Sequence, residues 1–392
     1  MQKEISINND RLSYLIEMFD FSEDFLLDYL NESRKKFKLN RDDVFGGRLK
    51  LSILKKIDLL FKAGLEFYLD PSPILDKQSR SVFFRKSGLN VDLSLGAKQR
   101  VFEGEQLYAT LRGLEHLTGQ STERTLPIFS IKDDPIGVAL DVATIVAPPE
   151  VKPSNTKRDV LKIFVNRLGE AGIYVHEFID QKNKIEKANI DGAFIAPNFI
   201  IIKRESDTQL ISREIFTLAH EFGHYLLNEE EAEEVDQSDV LKEDERNDVE
   251  RWCDMFAFHY LLGSHFDDFM SLQPLTADND FQNKLIDDIY NRTGLSKRAL
   301  FYNLHLQGKL SRLKYTTIKE SLNEILEMRR QKAALELEQE KASGQKIIRI
   351  PKRIYSEKVR GLAESAYLSG LIEVTEFKHL TGYTFDRIKK SY

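Results

Sequence analysis

The chain has 392 residues, 41 % of them apolar and 10 % aromatic, with 57 Lys and Arg against 63 Asp and Glu. That apolar content is ample for a core, and the small acidic excess excludes a wholesale polyanion binder while leaving room for a local basic patch. Cys253 is the single cysteine, which excludes an internal disulfide and a cysteine-rich zinc site. The polar start MQKEISINNDRL lacks the apolar stretch of a signal peptide, and no run reaches the ~18–20 apolar residues of a membrane span. A cytoplasmic protein without membrane contact is the expectation.

Residues 8 to about 70 read as helical. RLSYLIEMF, EDFLLDYL and LKLSILKKIDLLFKAGLEFYL repeat apolar residues at three- and four-residue spacing, and Asp70-Pro71-Ser72-Pro73 stops the pattern. A further helix is predicted over about 97–118, and a Pro- and Ser-bearing stretch places a boundary near 150–155. From residue 157 the rhythm changes. RDVLKIFVNRLGEAG predicts an amphipathic helix ended by Gly172, IYVHEFI alternates like a strand, and Asp191-Gly192 supplies turn chemistry before AFIAP and NFIIIK. Ser212 is expected to cap the next helix, REIFTLAHEFGHYLLN. Twelve of the 22 residues from 229 to 250 are Asp or Glu, which predicts a solvated loop or frayed helix. VERWCDMFAFHYLL resumes helical spacing. Two short helices are expected around Thr293-Gly294-Leu295-Ser296. A long charged helix over about 314–342 is broken by Ser343-Gly344, and a small helical unit closes the chain.

The chemistry concentrates in His220-Glu221-Phe222-Gly223-His224. Residues four apart share a helix face, so His220 and His224 can direct two imidazoles at one metal ion. Glu221 then stands beside the ion, placed to take a proton from water and later to give it to a leaving amine. A catalytic zinc takes a third protein ligand and keeps one position open. Downstream candidates are Glu250, Asp254, His259 and His265, and a rigid element favours Glu250, Asp254 or His259 over the acids of the loop. Gly223 permits close helix packing. Cys253 reads as a small buried apolar residue rather than a nucleophile, and Trp252 as packing. His176 and His259 are secondary candidates for polarising a scissile carbonyl.

SREIFTLAHEFGHYLLN resembles the motif FTLAHELGH of the ImmA/IrrE metallopeptidases, and DGAFIAPNFIIIK resembles their preceding β-hairpin. Their second signature is a Glu, two residues, a small residue, Asn, any residue, then Phe-Ala and two leucines. Glu250-Arg251-Trp252-Cys253-Asp254-Met255-Phe256-Ala257 with Leu261-Leu262 is similar to it. Cys253 replaces the usual Ala, Asp254 the usual Asn, and Gly263 stands near a usual Pro. The resemblance is specific from about 155 to 312, and it carries the third ligand onto Glu250.

It implies a mostly α fold with a small β-sheet, that is α+β, with a zincin-like HExxH peptidase core between helical N- and C-terminal domains. The implied domains are a degenerate helix-turn-helix-like unit at 1–75, a helical linker at 76–154, the zinc metallopeptidase at 155–312 and a helical C-terminal region at 313–392. The cofactor would be Zn2+, with Mn2+ also accepted by two His and one Glu. The implied substrate is a helix-turn-helix repressor or antitoxin protein whose cleavage releases stress, prophage or mobile-element genes. Residues 34–56 hold nine Lys or Arg, but the surroundings carry Asp42 and Asp43, so protein binding is favoured over DNA there. The alternative function is a non-enzymatic toxin–antitoxin or regulatory component with a structural metal site, which would not need Glu221.

Overall fold

Capped helices alternate with two small groups of strands in the computed structural model, which describes residues 4–32, 34, 37–74, 93–120, 123–152, 154–179, 187–204, 210–229, 232–234, 248–275, 280–342 and 353–383. The chain divides into two units, residues 1–107 with 181–189 and residues 108–180 with 190–392.

In the first unit, β1 (Glu4–Ser6) leads to α1 (Asn9–Met18), α2 (Glu23–Asn31) and α3 (Arg41–Phe45). Then come β2 (Arg48–Lys50), α4 (Leu51–Phe61), α5 (Leu65–Leu69) and the start of α6 (Leu95–Thr118). The helix starts follow local chemistry. Ser22 accepts the Phe25 N–H, and Asn40 and Asp43 form a reciprocal capping box on α3. Asp43 thus serves the start of a helix only five residues long. The apolar spacing read from the sequence becomes a core of Leu12, Leu15, Phe19, Leu26, Ile57, Phe61 and Phe102, with Phe19 and Phe61 meeting edge-on at 5.1 Å. One feature departs from the all-helical expectation. β1 pairs antiparallel with β2, Ile5 opposite Leu49. Partners so far apart in sequence leave no trace in local periodicity.

The second unit continues with α7 (Pro135–Ile145), α8 (Lys157–Glu170), β3 (Tyr174–Ile179), β4 (Ile190–Ile195), β5 (Phe199–Arg204), α9 (Ile211–Leu227), β6 (Ala232–Glu234) and α10 (Asp248–Leu262). After these come α11 (Phe266–Met270), α12 (Asp280–Arg292), α13 (Lys297–Leu306), α14 (Arg312–Ala342), α15 (Glu357–Leu368) and α16 (Val374–Thr381). The mostly helical, α+β character expected from the sequence is present. The four-stranded sheet has the order β3-β5-β4-β6, with β3 parallel to β5 and the other pairs antiparallel. Helix α9 packs on β4 and β5 and, on its other side, on α10. Helix α7, in the stretch expected to be a linker, buries Val138, Ala139 and Val142 in the same core.

Hydrogen bonds fasten this surrounding shell. Phe129 N–H donates to Leu226 O at 2.9 Å, the Trp252 indole to Asp133 O at 2.8 Å, and the Tyr260 hydroxyl to Val146 O at 2.9 Å. Trp252, Phe256 and Tyr260 stack in succession along α10, so Trp252 is packing, as its sequence context suggests. At the free side of β3, Tyr355 forms a bridge with His176, and Ile354 N–H donates to Glu177 at 2.6 Å.

Two local expectations are corrected. Asp191-Gly192 is not a turn but lies inside β4, with Gly192 opposite Ile202. The reversal falls later, at Pro197-Asn198, after a cis Ala196–Pro197 bond. Ser212 does not cap α9, whose first residue is Ile211. Its hydroxyl instead accepts a hydrogen bond from Lys157 Nζ at 2.7 Å. Most of the acidic run, residues 230–231 and 235–247, and the break at Ser343-Gly344 lie outside the described residues.

Candidate metal centre

Helix α9 is buried along almost its whole length, and His220, Glu221 and His224 expose 1 %, 0 % and 0 % of their surface. Such burial of three polar side chains demands a use for them, because an uncompensated buried polar group costs ~1–3 kcal/mol. The carboxylate partners of the two histidines come from α10. Gly223 makes the approach possible. A Cβ there would stand 3.1 Å from Cys253 Sγ and 3.2 Å from its Cα, so the two helices touch where neither carries bulk.

At this crossing His220 Nε2 lies 3.0 Å from His224 Nε2 and 3.2 Å from Glu250 Oε2. His224 Nε2 lies 3.5 Å from Glu250 Oε1. One ligand atom from each of the three residues falls within 4.8 Å of the others. Among the described residues this is the group of His, Cys, Asp and Glu that could hold a metal ion. Two nitrogens and a carboxylate suit zinc, and also manganese. Burial pushes the His224 imidazole below its ordinary pKa, which keeps it neutral with a lone pair to give. Burial alone would raise the Glu250 carboxyl, but the two imidazoles outweigh it and hold the group well below the usual carboxylate range. Two imidazole nitrogens and one carboxylate make a donor set that fits a divalent cation.

The other candidates separate clearly. Asp254, one turn beyond Glu250, accepts a hydrogen bond from His220 Nδ1 at 3.0 Å. His259 turns its Nδ1–H to Met255 O at 2.8 Å within its own helix. His265 meets Asp268 at 3.3 Å. His176 lies on β3, separated by β5 from the strand that meets α9 at Glu221. None of these three histidines joins the group.

Glu221 occupies a slot shaped by β4. A Cβ on Gly192 would stand 2.8 Å from Glu221 Oε1 and 2.7 Å from Thr217 Cγ2. In the sequence Gly192 reads as turn chemistry and Thr217 does not stand out. The available signal was a glycine within a β-rich run, which marks close approach as well as a turn.

Behind the start of α9 lies a buried charge cluster. Arg158 of α8 bonds both Glu177 and Glu214, the latter at 2.9 Å, and Arg204 reaches Glu214 at 2.7 Å. These pairs tie α8, β3 and β5 to the metal-site helix.

Residues 167–272 match the model of the IrrE N-terminal-like domain, Peptidase M78, a family of metallopeptidase type. The match spans the histidine pair, Glu221, Glu250 and Asp254. No curated protein matches the chain, and no solved structure does. Among the described residues, no helix is long and apolar enough to cross a membrane.

Proposed function

We propose that the chain, whose residues 167–272 match the IrrE N-terminal-like domain, is a zinc-dependent endopeptidase of the ImmA/IrrE family acting on a helix-turn-helix repressor or antitoxin protein. The observation that supports the reading most is the convergence of His220, His224 and Glu250 beside Glu221. The first three would hold the ion within a zincin-like core. When bound, zinc polarises a carbonyl oxygen and lowers the pKa of water to about 7. Glu221 takes the proton that water gives up as its oxygen bonds to the scissile carbonyl carbon. The same carboxyl then delivers that proton to the amide nitrogen as the C–N bond breaks, which leaves a free acid and a free amine. Gly192 leaves Glu221 the room it occupies, since a side chain there would crowd both its carboxylate and Thr217.

The substrate class rests on the family resemblance. Cleavage of such a repressor would release the stress, prophage or mobile-element genes it controls. The test is incubation of the zinc-loaded protein with candidate helix-turn-helix repressors, beginning with any encoded beside its gene, read by mass spectrometry. Two defined fragments are expected. Glu221→Gln should keep zinc and lower cleavage by about 10²–10⁴-fold. Undiminished cleavage by that variant would sink the mechanism, and an intact partner held in a stable complex would favour a non-enzymatic regulatory component.

A further inference from the structure

The two imidazoles of the centre are held by different means. The His224 ring is fully buried, and its Nδ1 has no hydrogen-bond partner among the described residues. His220 is gripped at both nitrogens. Its Nε2 faces Glu250 Oε2 at 3.2 Å, and its Nδ1 lies 3.0 Å from Asp254 Oδ1. Glu250 and Asp254 are four residues apart on α10, so successive turns of one helix present two carboxylates to opposite sides of one ring.

We propose that Asp254 is the positioning residue of the centre, fixing the tautomer and the orientation of His220 so that its Nε2 lone pair points at the bound metal. The proposal rests on the metal reading above. Its chemistry follows from what a carboxylate can do. A neutral imidazole carries one N–H, and an ionised carboxylate only accepts. A hydrogen bond between them therefore places the proton on Nδ1 and leaves Nε2 as the donor to the ion. Asparagine, the residue usual at this position in the resembling family, offers both a carbonyl oxygen and an NH2 group, and so tolerates either tautomer. Aspartate removes the choice. It also polarises the ring, and a carboxylate behind a metal-ligating histidine makes that histidine a better donor. His224 has no such guide, and burial alone restrains its ring.

Zinc affinity, measured by competition with a chromophoric chelator, tests this on the full chain together with the visible spectrum of the Co2+-loaded protein. Asp254→Ala should weaken zinc binding about 10–100-fold and alter the cobalt bands. Asp254→Asn should recover most of the loss, since its amide oxygen can accept the same proton. A purely structural role would shift the melting temperature of the metal-free variants without this order of affinities. Zinc binding by Asp254→Ala as tight as wild type, or an Asn variant no better than the Ala one, overturns the proposal. His220→Ala separates the two readings. If wild type binds zinc, His220→Ala does not and Asp254→Ala matches wild type, only the positioning role falls. If wild type itself binds no zinc, the metal reading falls with it.

Discussion

Gly192 on β4 and Glu221 on α9 approach so closely that a Cβ on the glycine would lie 2.8 Å from the glutamate's Oε1 and 2.9 Å from its Cγ. The sheet thus presents bare backbone to the proposed base. Gly192→Ala must push Glu221 or Thr217 aside, at a cost of about 1–3 kcal/mol in stability. A displacement near 1 Å at a reacting group can lower turnover about 10²-fold. The expected result is slow cleavage at full zinc occupancy, measured as rate and metal content on one sample. Wild-type turnover would mean that the slot gives way without moving the carboxylate.

Metal removal should read out as stability. His220, His224 and Glu250 join two helices that are far apart in sequence, and the unfolded chain has no preformed group of this kind. Free zinc at 100 times its Kd should add about 2.7 kcal/mol. A melting temperature that falls with chelator and returns with zinc is expected for the wild type, and no zinc-dependent change for His220→Ala. An identical response in both would place the zinc elsewhere.

The buried charge cluster predicts a pH signature. Burial pushes the Glu214 carboxyl up to about 7, with Arg204 opposing, Glu177 reinforcing and Arg158 opposing again. The folded state therefore holds this proton more tightly than the unfolded chain does. Its contribution to stability is complete below the ordinary value of 4.5 and is lost as pH rises through about 7. Urea unfolding between those limits should show the wild type losing stability relative to Glu214→Gln by up to about 1.4 kcal/mol per pH unit. Parallel curves for the two proteins would contradict it.

Cys253 should behave as packing. Its thiol is fully buried against Gly223, and burial pushes its pKa well up. Native protein should resist alkylation at neutral pH, and Cys253→Ala should keep zinc and cleavage at a cost of about 1 kcal/mol. Rapid labelling of the folded protein, or loss of cleavage in the variant, would count against this.

Legibility in the sequence followed the range of the forces involved. The histidine pair, the helix that carries it and the helix of Glu250 were readable because spacing within one helix fixes what shares a face. Elements built from distant partners were not. The pairing of Ile5 with Leu49 joins residues that no local pattern connects. Asp191-Gly192 has the composition of a hairpin turn, yet it lies within β4, paired with the distant β5, and its glycine leaves room for Glu221 of α9. Ser212 has the chemistry of a cap, but Lys157 claims its hydroxyl. Asp254 reads from the sequence as a candidate ligand and as a departure from the usual Asn, not as a partner of His220. Its contact with His220 depends on two helices crossing at Gly223 and Cys253, which neither helix specifies alone.

The shell around the proposed active site sets a limit on its portability. The stretch that matches the family begins inside α8 and stops just after α11. A gene trimmed to those residues would encode every proposed ligand and the base, yet omit Arg158, the Asp133 and Val146 carbonyls and the Ile354 N–H. Buried Glu177 would lose its Arg158 countercharge and, of its two arginines, Glu214 would keep only Arg204, and β3 would be left with a bare edge open to other chains. Transplanting the recognised segment should therefore yield aggregate rather than enzyme, and a useful excision must reach from before α7 to beyond residue 355.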